Sequence, residues 1–316
     1  MPIIQENKKD YFVQFAKLPI KSLLEIALSL SEANWSANNI CPMLLACEAL
    51  KDVLPIIQKF ASSEYEELFS KIIDNMRKAF RGFFNCMKDY IKCGIESQKN
   101  VAIHPVTCFR IHSIKAFSSH RILVQSFLAP GADSDSFDYL LDDLITSWIS
   151  ELRKCPESNC PERWCIFLLC NIKHFQETDG IIGLQDGLLL NSELVDKNRN
   201  RFDSDIEQFT KDYTKSWGSA KSCLTNGSRR SMVKFVSIFK CKYDLQKNWK
   251  VPNPVLKQGL RDDVEKFILP EYKRSFEQLQ EYPPGLLCFP CLQGAAGRDI
   301  YTPEYLQIAV QRLFEG

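Results

Sequence analysis

The sequence predicts an all-α fold, and three observations carry that prediction. Apolar residues recur at three- and four-residue spacing wherever they cluster. Proline stands at the first turn of several such segments. No alternating run bounded by hairpin residues occurs anywhere. About ten helices on short connections follow, and such helices bury their apolar faces only against one another.

From Met43 to Phe60, Leu50, Val53, Leu54 and Ile57 line one helical face, with Pro55 inside it as a kink rather than an end. The run from Glu64 to Cys93 repeats Leu68, Ile72, Met76, Ala79, Phe83 and Met87 at similar spacing. Three helix starts are marked by His104-Pro105, Asn253-Pro254 and Thr302-Pro303, because a first turn has no use for the amide hydrogen that proline lacks. Asn253 and Thr302 also suit N-caps, since their side-chain oxygens accept the orphan amides that follow. Behind these starts lie single apolar faces. They are Val106, Phe109, Ser113, Ile114 and Phe117; Leu256, Leu260, Val264, Phe267 and Ile268; and Leu306, Ala309, Val310 and Leu313. Breaks fall at Ala129 to Ala132, at Asp179-Gly180 and Asp186-Gly187, at Thr225 to Ser228, and from Tyr282 to Gly297. The region from Gln176 to Gly187 is the internal boundary, which divides the chain into units 1–180 and 181–316. No repeat of fixed period is present.

Composition excludes more than it identifies. A hydrophobic content of 45% with a net charge of +1 rules out extensive disorder, and global charge names no partner. No uncharged apolar run reaches roughly eighteen residues, so no membrane-spanning helix is expected. The start, Met1-Pro2-Ile3-Ile4-Gln5-Glu6, lacks a signal-peptide layout. Thirteen cysteines without such a signal are expected as reduced thiols in a cytosolic protein.

Tests for chemistry return nothing catalytic. Cys288-Phe289-Pro290-Cys291 is half of a zinc site without a second half, so it reads as two loop thiols. Cys155, Cys160, Cys165 and Cys170 recur every five residues, which rotates around a helix. Cys165 and Cys170 are therefore expected buried on a helix from Trp164 to Phe175. Of the four histidines, His104, His112, His120 and His174, the middle pair would stand about 12 Å apart along a helix, too far to share an ion. Capping or surface roles are expected for them. Asp133-Ser134-Asp135-Ser136-Phe137-Asp138 fails the calcium-loop pattern and reads as an acidic helix start. No phosphate-binding glycine loop is present, and no cofactor or metal is expected.

One local charge excess stands out. Between Arg229 and Arg261 lie Arg229, Arg230, Lys234, Lys240, Lys242, Lys247, Lys250, Lys257 and Arg261 against Asp244 alone. A solvated helix face is the plain reading. An anionic membrane surface is the functional one, at about 1 kcal/mol for each basic residue near the headgroups. Nucleic acid ranks lowest, because no aromatic platform accompanies the charge.

An ordered set of motifs carries a resemblance. Tyr301-Thr302-Pro303-Glu304-Tyr305-Leu306, closing with Leu313-Phe314-Glu315-Gly316, resembles the terminus of plant-type members of the seventy-kilodalton exocyst subunit family. Trp249-Lys250-Val251-Pro252-Asn253-Pro254-Val255-Leu256-Lys257, Pro270-Glu271-Tyr272-Lys273, Ile103-His104-Pro105-Val106-Thr107 and Glu48-Ala49-Leu50 are similar to further family elements, in the right order. Asn171-Ile172, Tyr213 with Trp217, and Phe235 with Phe239 also fall where the family has comparable residues. The likeness runs from about Leu23 to Gly316 and covers only the family's C-terminal half.

The resemblance implies an elongated rod of stacked antiparallel helical bundles, cullin-repeat-like, as in other tethering-complex subunits. It implies a non-enzymatic role in exocytosis, peripheral at the plasma membrane. Expected partners are other exocyst subunits, anionic phosphoinositides such as phosphatidylinositol 4,5-bisphosphate, and small Rho-type GTPases. Units 1–180 and 181–316 would then be the middle of the rod and the C-terminal bundle with the lipid-binding face. Two departures accompany it. The family's N-terminal half has no counterpart in these residues. Its paired-lysine lipid element stands here as Gly297-Arg298-Asp299-Ile300-Tyr301-Thr302-Pro303-Glu304, where only Arg298 offers positive charge in place of the lysines. The competing expectation is a diverged helical interaction module, in defence-related signalling, that no longer binds membrane or assembles into exocyst.

Overall fold

The computed structural model describes residues 3–32, 40–60, 63–89, 103–128, 134–154, 160–177, 192–280 and 300–315. Among the described residues the fold is helical throughout, and the one β-bridge is an isolated pairing of Lys250 with Glu315. The helices are α1 (Ile3–Ser31), α2 (Ile40–Phe60), α3 (Ser63–Asp89), α4 (Pro105–Ser119), α5 (Arg121–Leu128), α6 (Ser134–Lys154) and α7 (Pro161–Glu177). After them come α8 (Ser192–Lys215), α9 (Gly218–Lys221), a 3₁₀ turn (Ser222–Asn226), α10 (Arg229–Gln246), α11 (Pro254–Gln280) and α12 (Pro303–Gln311). Pro19, Pro55 and Pro270 all lie inside helices, so none of them ends its element.

Two compact units are present. The first holds α1, α2, α3 and α5, with α4 from Cys108 onward and α6 as far as Glu151. Of the expected stripes, Ile72, Met76 and Phe83 on α3 and Ile114 and Phe117 on α4 are buried, whereas Leu68 and Ala79 are half-buried and Phe80, outside the expected stripe, joins the core. Phe80 meets Phe117 edge-to-face at 5.4 Å between ring centres, a geometry aromatic quadrupoles favour. Asp138, which the sequence places in an acidic helix start, is buried and held by Arg121 at 3.1 Å.

The second unit holds α7, α9 to α12, α8 from Asp196, and the His104–Thr107 start of α4. The three proline starts named from the sequence are capped there. Asn253 Oδ1 accepts the Leu256 amide at 2.7 Å, and Thr302 Oγ1 accepts that of Tyr305 at 3.3 Å. His104 takes the cap role through its ring, with Nδ1 accepting the Val106 amide at 3.2 Å. Leu256, Leu260, Val264 and Ile268 are buried on α11, and Leu306, Val310 and Leu313 on and just after α12. The Thr225 to Ser228 break is a tight turn in which Gly227 has φ 52. A Cβ there would meet only the far end of the flexible Gln278 side chain, which can swing aside, so it is the left-handed backbone that favours glycine. Ser228 then caps α10 by accepting the Ser231 amide at 3.2 Å. The breaks at Ala129–Ala132, Asp179–Gly187 and Tyr282–Gly297, with Cys288 and Cys291, lie outside the described residues.

Candidate functional site

The basic segment folds into α10, the short connection after it, and the first two turns of α11. Four of its nine cations share one surface. Arg229, Arg230, Lys234 and Lys240 are exposed, whereas Met232, Phe235, Val236 and Phe239 of the same helix are buried. At 3.6 residues per turn the four fall within about 140° of arc, on the side away from the buried residues. Asp244 lies on that side too, but its carboxylate accepts from Lys247 Nζ at 2.7 Å.

Of the remaining cations, Lys242 and Arg261 are turned into the fold. Lys242 leans inward, donating to Glu162 Oε1 at 2.5 Å and lying 5.8 Å from the Trp217 ring centre. Burial alone would raise the Glu162 carboxyl, but the Lys242 hydrogen bond and charge outweigh it and hold it below the usual range. Arg261 closes the carboxy-terminal turn, with Nε and Nη2 donating to the Leu313 carbonyl at 2.9 and 2.6 Å. That turn needs holding, since Phe314 is fully buried at φ 63, a left-handed conformation few side chains adopt. The Glu315 amide adds a bond to the Lys247 carbonyl at 2.9 Å. Lys250 is exposed beside the bridge to Glu315, Lys257 is half-buried on α11, and Arg298 lies outside the described residues. Linear spacing cannot identify Glu162 or Leu313 as the groups that divert Lys242 and Arg261, because 80 and 52 residues separate the partners.

Other candidate groups prove structural. Asn171 is fully buried and ties α7 to the start of α4. Its Oδ1 accepts from the His104 amide at 2.8 Å and the Thr107 hydroxyl at 2.6 Å, while Nδ2 donates to the Phe167 carbonyl at 2.8 Å. Burial pushes the Cys170 thiol up to about 12 and, with the Asp212 and Glu162 charges, the Cys165 thiol up to about 11, which suppresses both thiolates. The expectation that both are buried holds for Cys170 alone. Cys165 is half-buried, because five residues turn a helix by about 140° and the two cannot share one face. His120 stands 3.1 Å from Glu48 in the first unit, and His112 is exposed. Among the described residues no group of three or more His, Cys, Asp or Glu could hold a metal ion, and no helix is long and apolar enough to cross a membrane.

The architecture is that of a helical-bundle protein with one cationic outer helix and no assembled catalytic group among the described residues. This chain belongs to the Exo70 family of the exocyst complex, and the sequence profile of that family's C-terminal region matches residues 2–285. The exocyst complex component EXO70B2 of Arabidopsis thaliana is 22% identical over 330 residues, covering 96% of this chain and 52% of that protein. Among solved structures, the Saccharomyces cerevisiae exocyst component Exo70p matches with a TM-score of 0.55 at 13% identity, over 86% of this chain and 58% of that one. A second Exo70 structure from S. cerevisiae matches with a TM-score of 0.53 at 14% identity, over 94% and 61%. The fold is thus shared, and the chain spans about half the length of the curated relative it matches.

Proposed function

We propose that this chain acts as an exocyst-type tethering subunit, non-catalytic, that meets anionic phosphoinositide membrane through the outer face of α10. Family membership supports the tethering role. The observation that carries the membrane contact is the grouping of Arg229, Arg230, Lys234 and Lys240 on one exposed side. Four cations near anionic headgroups contribute about 4 kcal/mol, nearly a thousandfold in affinity at low salt. Sibling exocyst subunits and small Rho-type GTPases are the protein partners of this reading, and the plasma membrane is its place of action.

The test is co-sedimentation with phosphatidylcholine vesicles, with and without phosphatidylinositol 4,5-bisphosphate, at low and high salt. Binding is expected with the phosphoinositide only, weakened by salt and lost when the four cations are replaced by serine. Binding that ignores salt and survives the quadruple substitution would refute the membrane contact. A second reading, a helical interaction module without membrane contact, is favoured by the diversion of Lys242 and Arg261 into the fold. Stable co-purification with a partner other than exocyst subunits would select it.

A further inference from the structure

One narrow stripe down the outward side of α10 changes character along its length. Arg230, Lys234, Ile238, Cys241 and Leu245 fall within about 80° of arc and span about 22 Å of helix. The first two are exposed cations. After them Ile238 is half-buried, Cys241 is exposed and Leu245 is 54% exposed. Lys240 lies exposed on one flank of the stripe, level with Cys241. Asp244 is on the same flank, with its carboxylate engaged by Lys247.

A single exposed leucine needs no explanation, but its place at the apolar end of a charged stripe does. Cations and apolar groups are segregated end to end here, not intermixed. A bilayer has the same order along its normal, with phosphates outermost and acyl carbons beneath. A helix that meets it on a tilt, with the Leu245 end deeper, sets each part of the stripe at its own depth. Lysine and arginine stems are long enough to keep their charges among the headgroups while the backbone sinks. Met232, Phe235, Val236 and Phe239 fix α10 in the core of the second unit, so the tilt belongs to that unit as a whole. A protein partner would instead need an acidic patch and an apolar pocket about 15 Å apart in fixed register.

We infer that Leu245, with Ile238 and Cys241 beside it, enters the boundary between headgroups and acyl chains while Arg230, Lys234 and Lys240 hold the lipid phosphates. The inference rests on the membrane reading proposed above and adds an apolar anchor to it. Charge then sets the part of the affinity that salt screens, and Leu245 sets a part that salt does not reach.

Co-sedimentation of the full chain with phosphatidylcholine vesicles carrying phosphatidylinositol 4,5-bisphosphate, over a salt series, reads the two ends of the stripe separately. Leu245→Ser is expected to bind about tenfold more weakly at every salt concentration, with the salt dependence unchanged. Lys234→Ser is expected to flatten the salt dependence. Leu45→Ser removes a leucine equally exposed, at 55%, on α2 of the other unit, and is expected to bind as the wild type does. Leu245→Trp is expected to keep binding and to gain emission that vesicles with brominated acyl chains quench. Soluble inositol 1,4,5-trisphosphate, the headgroup without its chains, is expected to bind wild type and Leu245→Ser alike. A wild-type chain that binds no phosphoinositide vesicle removes the membrane reading and this inference together. Wild-type binding that Leu245→Ser leaves intact overturns the insertion alone and gives the stripe to a protein partner. A tryptophan at 245 that bromine does not quench, or an equal loss on the soluble headgroup, also overturns the insertion and leaves the cationic contact standing.

Discussion

Arg110 on α4 is completely buried, and none of its three side-chain nitrogens has a hydrogen-bond partner among the described residues. Desolvation lowers its pKa to about 10, with the Glu151 charge opposing the shift. A guanidinium in that position costs stability, because each buried unsatisfied donor forfeits about 1–3 kcal/mol of hydration and a through-space attraction returns only part. Methionine fills a similar length and removes the charge. Replacing buried ionic groups by apolar ones of similar volume gains about 1–4 kcal/mol, so Arg110→Met is expected to stabilise the first unit by that amount. Urea titration followed by far-ultraviolet circular dichroism measures it, as a higher midpoint at unchanged slope, and Tm should rise by several degrees. Arg110→Ala separates charge from volume, since the cavity it leaves should cancel part of the gain. A midpoint that falls with Arg110→Met would refute the reasoning, for it would mean that the guanidinium is satisfied in solution.

Removing Arg261 should loosen the carboxy-terminal turn: Arg261→Ala deletes both donors to the Leu313 carbonyl and is expected to cost about 2 kcal/mol by urea titration, with faster carboxypeptidase trimming. Stability should also depend on the neutral state of His104. Burial lowers its pKa below 6.5, and Nδ1 must stay unprotonated to accept the Val106 amide. The unfolded chain therefore binds the proton more readily. Stability is fully present above pH 6.5 and is lost as pH falls below it toward the lowered folded value. Urea midpoints for the wild type and His104→Gln across that window check this, and the variant should show a shallower decline.

Much of the helical architecture can be read directly from the residues. Asn253 and Thr302 cap the helices their prolines open, and the faces behind them are the buried faces, because capping and 3.6-residue periodicity are local properties. Helix α1 is harder to see. With Leu24 and Ala27 inward and Phe15, Leu18 and Ile26 outward, apolar residues fall on two sides of it and blur the amphipathic pattern. Arg110 lies at the same helical face as Ile114 and Phe117, four and seven residues on, and escapes notice because its charge reads as surface until the fold closes over it. The basic segment is legible as a surplus but not as a site. Whether a lysine faces solvent or a distant carboxylate is set by tertiary packing, and Lys242 and Lys240, two residues apart, go opposite ways.

Cys241 sits on the outward side of α10, exposed, between the helical positions of Lys234 and Lys240. Cys165 and Cys170, by contrast, are held as protonated thiols. Maleimide chemistry will therefore reach Cys241 far ahead of those two. A dye placed there would sit among the four cations and would dim or brighten when anything settles on that helix. With the exposed Cys108 replaced, Cys241 would report on this cationic helix face.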